Sequence, residues 1–377
     1  MKFNVYGKTL QQQLSAVSKV VNAKNTLSIL DNFLLEVAGD TLLITGSDMD
    51  TVMSASMEIT NQGLDGKIAI NAKRLMDVVK EVANFPLTFE IEESTGEVDL
   101  LFLGGHFSFM GVDAAEYPQN FETDELPVEM TIPAEVVQRG LDFTLFAIGG
   151  EVIGRLRPVM TGVCWDFHKD DITFVGSDTF KLVRYINTSF RPETETSFIL
   201  PGKPAGILRS FIGKETEFVK IRKDDKSAIF SFGNYRLGCR FVKGVYPNYN
   251  RILPQDNPNE LTVDRQILAA AVRRVSLFAC KASSLVKLIM ADNVVALQAQ
   301  DRDYSTKADE RISCSYEGSP LSIGFNSVNM LDLLNNLPGD QIVVKLSDPG
   351  RTGLFMPFEQ KENENLVMAL MPMHLTE

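Results

Sequence analysis

The chain repeats its own pattern three times, and fixed-period self-similarity constrains architecture more tightly than any local propensity. Three strands each end in a small residue, a polar residue and an aspartate: Leu42 to Asp48 (LLITGSD), Ile172 to Asp178 (ITFVGSD) and Val295 to Asp301 (VALQAQD). The aspartates lie 130 and 123 residues apart. Each is preceded by a short alternating strand running into a helix, at Phe3 to Val5, Met130 to Ile132 and Leu261 to Val263. Each is followed by an extended stretch that turns into a second helix, at Ile68 to Asn71 (IAIN), Phe198 to Pro201 (FILP) and Ser322 to Asn326 (SIGFN). Each repeat closes on a proline, in Tyr117-Pro118, Tyr246-Pro247 and Met371-Pro372. Four landmarks in one order, with offsets of 123 to 131, divide the 377 residues into three units: 1–125, 126–254 and 255–377.

Apolar steps of three and four place two helices in every unit. Leu10, Leu14, Val17 and Val21 make one face, and Leu75, Val78, Val79 and Val82 the next. Val137, Leu141 and Leu145, then Ile207, Leu208, Phe211 and Ile212, serve the second unit; Ile267, Ala271 and Val275, then Met330, Leu331, Leu334 and Leu337, the third. Alternating stretches at Leu100 to Phe109, Ala228 to Phe232 and Gly353 to Phe358 read as antiparallel strands. The fold class is therefore α+β: repeated domains, each with two helices and antiparallel sheets.

A net charge of −12 argues at first against a nucleic-acid partner. The charge is unevenly placed, however. The six helical segments together carry +6 and the remainder −18, so basic residues concentrate on the helices and could face phosphate. Helix propensity alone also enriches Lys and Arg there.

The four cysteines (Cys164, Cys239, Cys280, Cys314) form no CxxC pair, which excludes a zinc ribbon and reads as reduced thiols. His106, His168 and His374 have no metal spacing, and no HExxH or GxxxxGK[ST] motif is present, so neither metal nor nucleotide cofactor is expected. The start of the chain lacks a signal-peptide apolar stretch and no run approaches membrane-spanning length, which predicts a cytoplasmic protein with no membrane partner. Asp48 with Asp50, and Asp301 with Asp303, could be metal carboxylates of a phosphodiesterase. The repeat argues against it, because Asp178 is followed by Phe180 where a second acid would be; a recurrent strand-end aspartate reads better as a turn former.

Five stretches carry a family resemblance: the opening MKFNV; Thr26 to Leu30 with Asn32; Tyr246 to Pro254; Ile323 to Asn326 before a Leu-Asp-Leu-Leu-Asn run; and the tail Met371 to Leu375. In this order the chain resembles, over its whole length, the bacterial DNA polymerase III beta subunits, the sliding clamps. The resemblance implies a head-to-tail homodimer closing a six-domain ring, with helices lining a hole for duplex DNA and no catalysis. It places the protein at the nucleoid, as the processivity factor of the polymerase III holoenzyme in DNA replication. Binding would be topological and independent of sequence.

By position the resemblance implies DNA contacts at Lys24, Lys73, Arg74, Lys203 and Arg209, with Arg155 and Arg157 in a loop spanning Gly149 to Arg157. It implies a groove for short peptides of polymerases, the clamp loader and repair proteins, between the second and third domains. Its walls would be Met160; Ser177, Thr179, Phe180, Lys181 and Leu182; Pro247, Arg251 and Ile252; Asn326 and Thr352; and Ala369, Leu370, Met371, Pro372 and Met373. The dimer contact would join Phe107 and Phe109 on an edge strand to Leu277 and Phe278 at a helix end. The chain departs from the family in having Thr179-Phe180-Lys181 where Gly-His-Arg is common, and His374 where arginine is frequent. A clamp-like module that binds peptides without serving replication is the alternative on the same fold.

Overall fold

The computed structural model describes residues 1–22, 25, 27–118, 127–213 and 216–375. Lys24, Thr26 and the boundary at 125/126 lie outside the described residues. The helices are α1 (Gly7–Val17), α2 (Ala72–Glu81), α3 (Ala134–Thr144), α4 (Glu151–Leu156), α5 (Gly202–Phe211), α6 (Tyr249–Ile252), α7 (Arg265–Ser276) and α8 (Ser327–Asn336). Six of them are the helices the apolar spacing predicts. None of the described helices is long and apolar enough to cross a membrane.

Local chemistry explains why strand gives way to helix in the first and third repeats. Asn71, Asp264 and Asn326 end strands, and their side-chain oxygens accept the N–H groups of Arg74, Ile267 and Asn329 at 3.0, 2.8 and 3.1 Å, capping α2, α7 and α8. The small residue before the conserved polar-acid step is steric. A Cβ on Gly176 would lie 2.2 Å from the Thr144 carbonyl oxygen, and one on Gly46 2.7 Å from Val17 Cγ1.

Contacts divide the chain into two compact units, Met1–Ala134 with Ser210–Phe241, and Glu135–Arg209 with Val242–Glu377. In the first, a five-stranded sheet starts at Thr60–Asn61, continues through Lys2–Tyr6, Pro86–Glu92 and Glu97–Phe102, and ends on Gly105–Met110. An eight-stranded sheet joins four strands of the second repeat to four of the first where Tyr235–Arg240 pairs with Thr51–Glu58. Phe3 and Phe89 stack at 4.9 Å in a core shared with Leu10, Leu14, Leu75 and Val79. In the second unit, a nine-stranded sheet joins the second and third repeats where Lys181–Asn187 pairs with Glu364–Leu370 over seven residue pairs. A four-stranded sheet runs from Thr306–Ser313 to Leu321–Asn326.

Three expectations are corrected. The stretch expected as a loop at Gly149 to Arg157 contains α4, whose Arg155 reaches back one turn to Glu151 at 2.6 Å. Leu100 to Phe109 is not one strand but a hairpin, because Gly104 at φ +90° turns the chain between Glu97–Phe102 and Gly105–Met110. Ile267, placed on the core face of α7, is 53% exposed; Leu268, Ala271, Val272 and Val275 form that face instead.

Candidate functional site: a groove beside the Asp178 turn

The strand-end aspartates are turn formers. Asp178 Oδ1 accepts the N–H groups of Phe180 and Lys181, both at 2.9 Å. Asp48 Oδ1 does the same for Asp50 and Thr51, and Asp301 Oδ1 for Asp303 and Tyr304. With an oxygen committed to the backbone in each repeat, the pattern is that of a structural turn rather than a metal-binding carboxylate pair.

Around Asp178 the turn organises a site. Ser177 Oγ donates to the Lys181 carbonyl at 2.8 Å and accepts from Thr179 N–H at 3.2 Å. Thr179 is held at φ +81°. Lys181 is buried, its ammonium 2.7 Å from Asp178 Oδ2, 3.2 Å from Asp332 Oδ2 and 3.3 Å from Asn329 Oδ1. Its three donors are thus satisfied by a carboxylate on its own turn and by two residues one helical turn apart on α8. The residue-type pattern did not single out Asn329 or Asp332, although their i, i+3 spacing in Asn329-Met330-Leu331-Asp332 is the signal that places both on one face.

The C-terminal segment completes the site. Leu370 stands opposite Lys181 and Ala369 opposite Leu182. Met371 N–H then donates to the Phe180 carbonyl at 2.9 Å, and Met373 N–H to that of Gly324 at 2.8 Å. Leu182 and Ala369 share an apolar cluster with Cys164, Val175, Tyr249 and Leu253. Burial pushes the Cys164 thiol up to about 12 and raises the phenols of Tyr246 and Tyr249 as well. Tyr249 donates to Asp166 at 2.8 Å, which pins α6 and so the segment carrying Pro247, Arg251 and Ile252.

Of the expected groove residues, Met160, Ser177, Lys181, Leu182, Ala369 and Leu370 are buried. Phe180 (55% exposed), Ile252 (43%) and Met371 (52%) are the large apolar side chains that reach solvent, and Arg251 is exposed among them. Pro247, Thr179, Pro372 and Met373 are half-buried. Asn326 and Thr352 are half-buried too: Asn326 donates to the Ser283 carbonyl, and the Thr352 carbonyl accepts from Asn257. An exposed aromatic, thioether and aliphatic trio rimmed by an arginine suits an apolar peptide with an acidic neighbour.

The basic candidates differ among themselves. Lys73 and Arg74 sit exposed in the first turn of α2, and neither forms an ion pair among the described residues. Arg157, also exposed, follows α4. Arg155 is paired with Glu151 and Arg209 with Asp142, so part of their charge is neutralised in place. Lys203 is exposed at the start of α5.

At the expected dimer contact, Gly105–Met110 is a sheet edge and Leu277 (80%) and Phe278 (42%) are exposed at the end of α7. Phe109 is corrected: it is 6% exposed and belongs to the core, because its side alternates inward, while Met110 (63%) and the turn residue Leu103 (80%) are outward. Phe107 is half-buried, stacked on Phe102 at 5.0 Å.

Repeated α+β units, joined strand to strand into continuous sheets, define the DNA-clamp class of protein. Three family models cover nearly all of the chain: the DNA polymerase III beta subunit N-terminal domain over residues 1–121, the central domain over 131–248 and the C-terminal domain over 250–374. A beta sliding clamp of Pseudomonas putida is 26% identical, with both chains fully covered. Among solved structures, the DNA polymerase III beta subunit of Pseudomonas aeruginosa superposes with a TM-score of 0.93 at 23% identity, covering both chains fully. A sliding clamp of Bartonella birtlesii bound to griselimycin does so at 0.90 and 25%, again over both full lengths. The chain belongs to the DNA polymerase III beta subunit family, the sliding clamps that act as processivity factors in DNA replication.

Proposed function

We propose that two copies of this chain close head to tail into a six-domain ring around duplex DNA and tether the replicative polymerase, the clamp loader and repair proteins through the groove beside Asp178. One observation carries the proposal. The strand after the aspartate turn pairs, in the first repeat, with the last hairpin strand of the second: Thr51–Glu58 with Tyr235–Arg240. In the second repeat it pairs with the last strand of the third: Lys181–Asn187 with Glu364–Leu370. In the third repeat the same strand, Thr306–Ser313, is a sheet edge, and so is the last hairpin strand of the first, Gly105–Met110. Repeating the junction once more joins these two edges across copies, and a second such contact closes the ring. Leu277, Phe278 and Phe107 then supply apolar cover beside the pairing.

On this reading the domains are 1–125, 126–254 and 255–377. Lys73, Arg74 and Arg157 supply the principal phosphate contacts, with Lys24, Lys203, Arg155 and Arg209 adding to them. Such contacts are independent of sequence and weaken steeply with salt. The protein is non-catalytic, its aspartates being committed to turns, and works in the cytoplasm at the nucleoid. Phe180, in place of histidine, substitutes an apolar ring for a hydrogen-bonding group and shifts peptide preference toward an aromatic or aliphatic residue there.

The test is loading onto nicked circular plasmid by the cognate clamp loader, followed by gel filtration. Protein that stays with the circle and leaves it on linearisation is topologically bound. Retention that is the same on linear and circular DNA would refute the ring.

A further inference from the structure

The groove has a counterpart one repeat along, and its chemistry is inverted. Cys164 and Val175 face each other across paired strands of the second repeat, and 123 residues on Lys287 and Gln298 face each other in the third. Leu182 stands opposite the residue before Asp178, and Lys307 opposite the residue before Asp301. The trio Cys164, Val175 and Leu182 lies in an apolar cluster covered by Tyr249 and Leu253 of its own repeat. The trio Lys287, Gln298 and Lys307 instead lines a cavity of about 580 Å³, together with Gln300, Arg302 and the tail residue Leu375.

The charges point to the occupant. Elsewhere in the third repeat Arg274 is paired with Glu310, Lys345 with Glu260 and Arg351 with Asp348, whereas Lys287 and Lys307, on the cavity wall, pair with no carboxylate among the described residues. Two carboxylates face them. Asp301 is buried with one oxygen held by its own turn, and Asp303 is exposed in the turn itself. In a chain of net charge −12, a surface carrying two ammonium groups with no carboxylate partner among the described residues and two primary amides is set up for an anion.

Its position says where that anion comes from. Leu285, on the cavity wall, is paired directly with Asn326 of the groove. Met373, the last groove residue, is hydrogen-bonded to Gly324, and Leu375 packs over the same glycine before lining the cavity. Groove and cavity thus lie on adjacent paired strands, a single strand spacing apart. We infer that the Lys287–Gln298–Lys307 face binds an acidic stretch flanking the peptide segment docked in the groove, so that partners are chosen by an apolar anchor and a neighbouring run of Asp or Glu. This rests on the proposal that the Asp178 groove takes peptides.

The probe is a fluorescein-labelled hexapeptide selected on the full-length protein from a random library and retained because Ile252→Glu abolishes its binding. It is extended at either end by Gly-Glu-Asp-Glu-Asp or by Gly-Ser-Gly-Ser-Gly, and dissociation constants are read by fluorescence anisotropy at low salt. The acidic extension at one end tightens binding about fivefold over the neutral one, and Lys287→Glu removes that gain while leaving the unextended hexapeptide unaffected. Lys287→Gln, a milder change, halves the gain on the logarithmic scale. No gain at either end, or a gain that survives Lys287→Glu, overturns the inference. So does loss of the gain on adding a ten-nucleotide single strand, which would assign the basic face to nucleic acid. A library that yields no hexapeptide sensitive to Ile252→Glu refutes the groove itself, a failure distinct from a groove that binds without the acidic gain.

Discussion

The two places where one repeat passes its sheet to the next use the same strand for the same purpose, yet they are built to different strengths. Where the first repeat meets the second, Thr51–Cys239 pairing spans five residue pairs and is flanked by Arg240 and Asp50, both largely exposed and 3.8 Å apart. Where the second meets the third, pairing spans seven and is braced by Arg139 on Glu364 and by Arg184 between Asn250 and Asn365, while past the turn both junctions carry the same backbone bond, Met371 to Phe180 here and Arg240 to Asp50 there. The junction with the longer pairing is the one beside the groove, as a docking site that needs a firm floor requires. Burial disfavours the Arg139 charge, but hydrogen bonds to Glu364 and Tyr185, together with the nearby Glu364 charge, outweigh it and leave the guanidinium more basic than usual.

Breaking each brace separately measures that contrast. Glu364→Ala strands a half-buried guanidinium and is expected to cost about 3 kcal/mol in urea unfolding, whereas Arg240→Ala, at an exposed pair, costs under about 0.5 kcal/mol. Equal costs would mean that the two junctions do not differ in strength.

Lys181 sharpens the comparison at the groove. Lys181→Met removes the cation that Asp178 and Asp332 share and leaves two carboxylates facing an apolar chain. A loss of about 2 kcal/mol in stability and about tenfold in affinity for groove-binding peptide is expected. Asp332→Asn, which keeps a hydrogen-bond acceptor on α8, should recover most of the stability that Asp332→Ala loses. Stability that is insensitive to all three would remove Lys181 as the link between the Asp178 turn and α8.

Alkali probes both regions at once. Burial holds Cys164, Cys239, Tyr117, Tyr246 and Tyr249 above their ordinary values, so each is favoured neutral in the folded chain. A raised pKa of an acid contributes stability that is complete below the unfolded value, 9.0 for cysteine, and is lost as pH rises toward the folded one. The melting temperature should therefore be flat from pH 7 to about 9 and fall above it. Cys239→Ser and Cys164→Ser should soften the fall, and Tyr246→Phe should soften it further.

Much of this was legible in the chain. The repeat gave the number of clamp domains, the strand-to-helix steps and the turn role of the aspartates, because these depend on local spacing and on capping residues that sequence displays directly. What could not be read is long-range pairing. Which strand lies beside Lys181–Asn187 is decided by residues 177 to 189 positions away, and no periodicity encodes it. Phe109 was misplaced for a related reason: its alternation is clear, but which parity faces the core depends on the hairpin at Gly104. Lys181 illustrates the limit at the site, since a lysine in sequence reads as surface until Asp178, Asn329 and Asp332 converge on it.

The smallest effect concerns a strain the two junctions share. Met49 and Thr179 occupy the same position in their repeats and both adopt left-handed backbone, φ +82° and +81°. In that region a Cβ crowds the following carbonyl, and a β-branched residue suffers most. Thr179→Gly removes the crowding and should raise stability by roughly 0.5–1 kcal/mol, with Met49→Gly giving somewhat less because methionine is unbranched. If Thr179 were retained for the groove, the glycine variant would gain stability while losing peptide affinity, since a freer turn holds Phe180 and Lys181 less firmly. Met49→Gly, at the other junction, would gain stability alone. Peptide titrations and urea curves on the same two variants separate the outcomes, and matched behaviour at both positions would show that the strain belongs to the repeat rather than to the site.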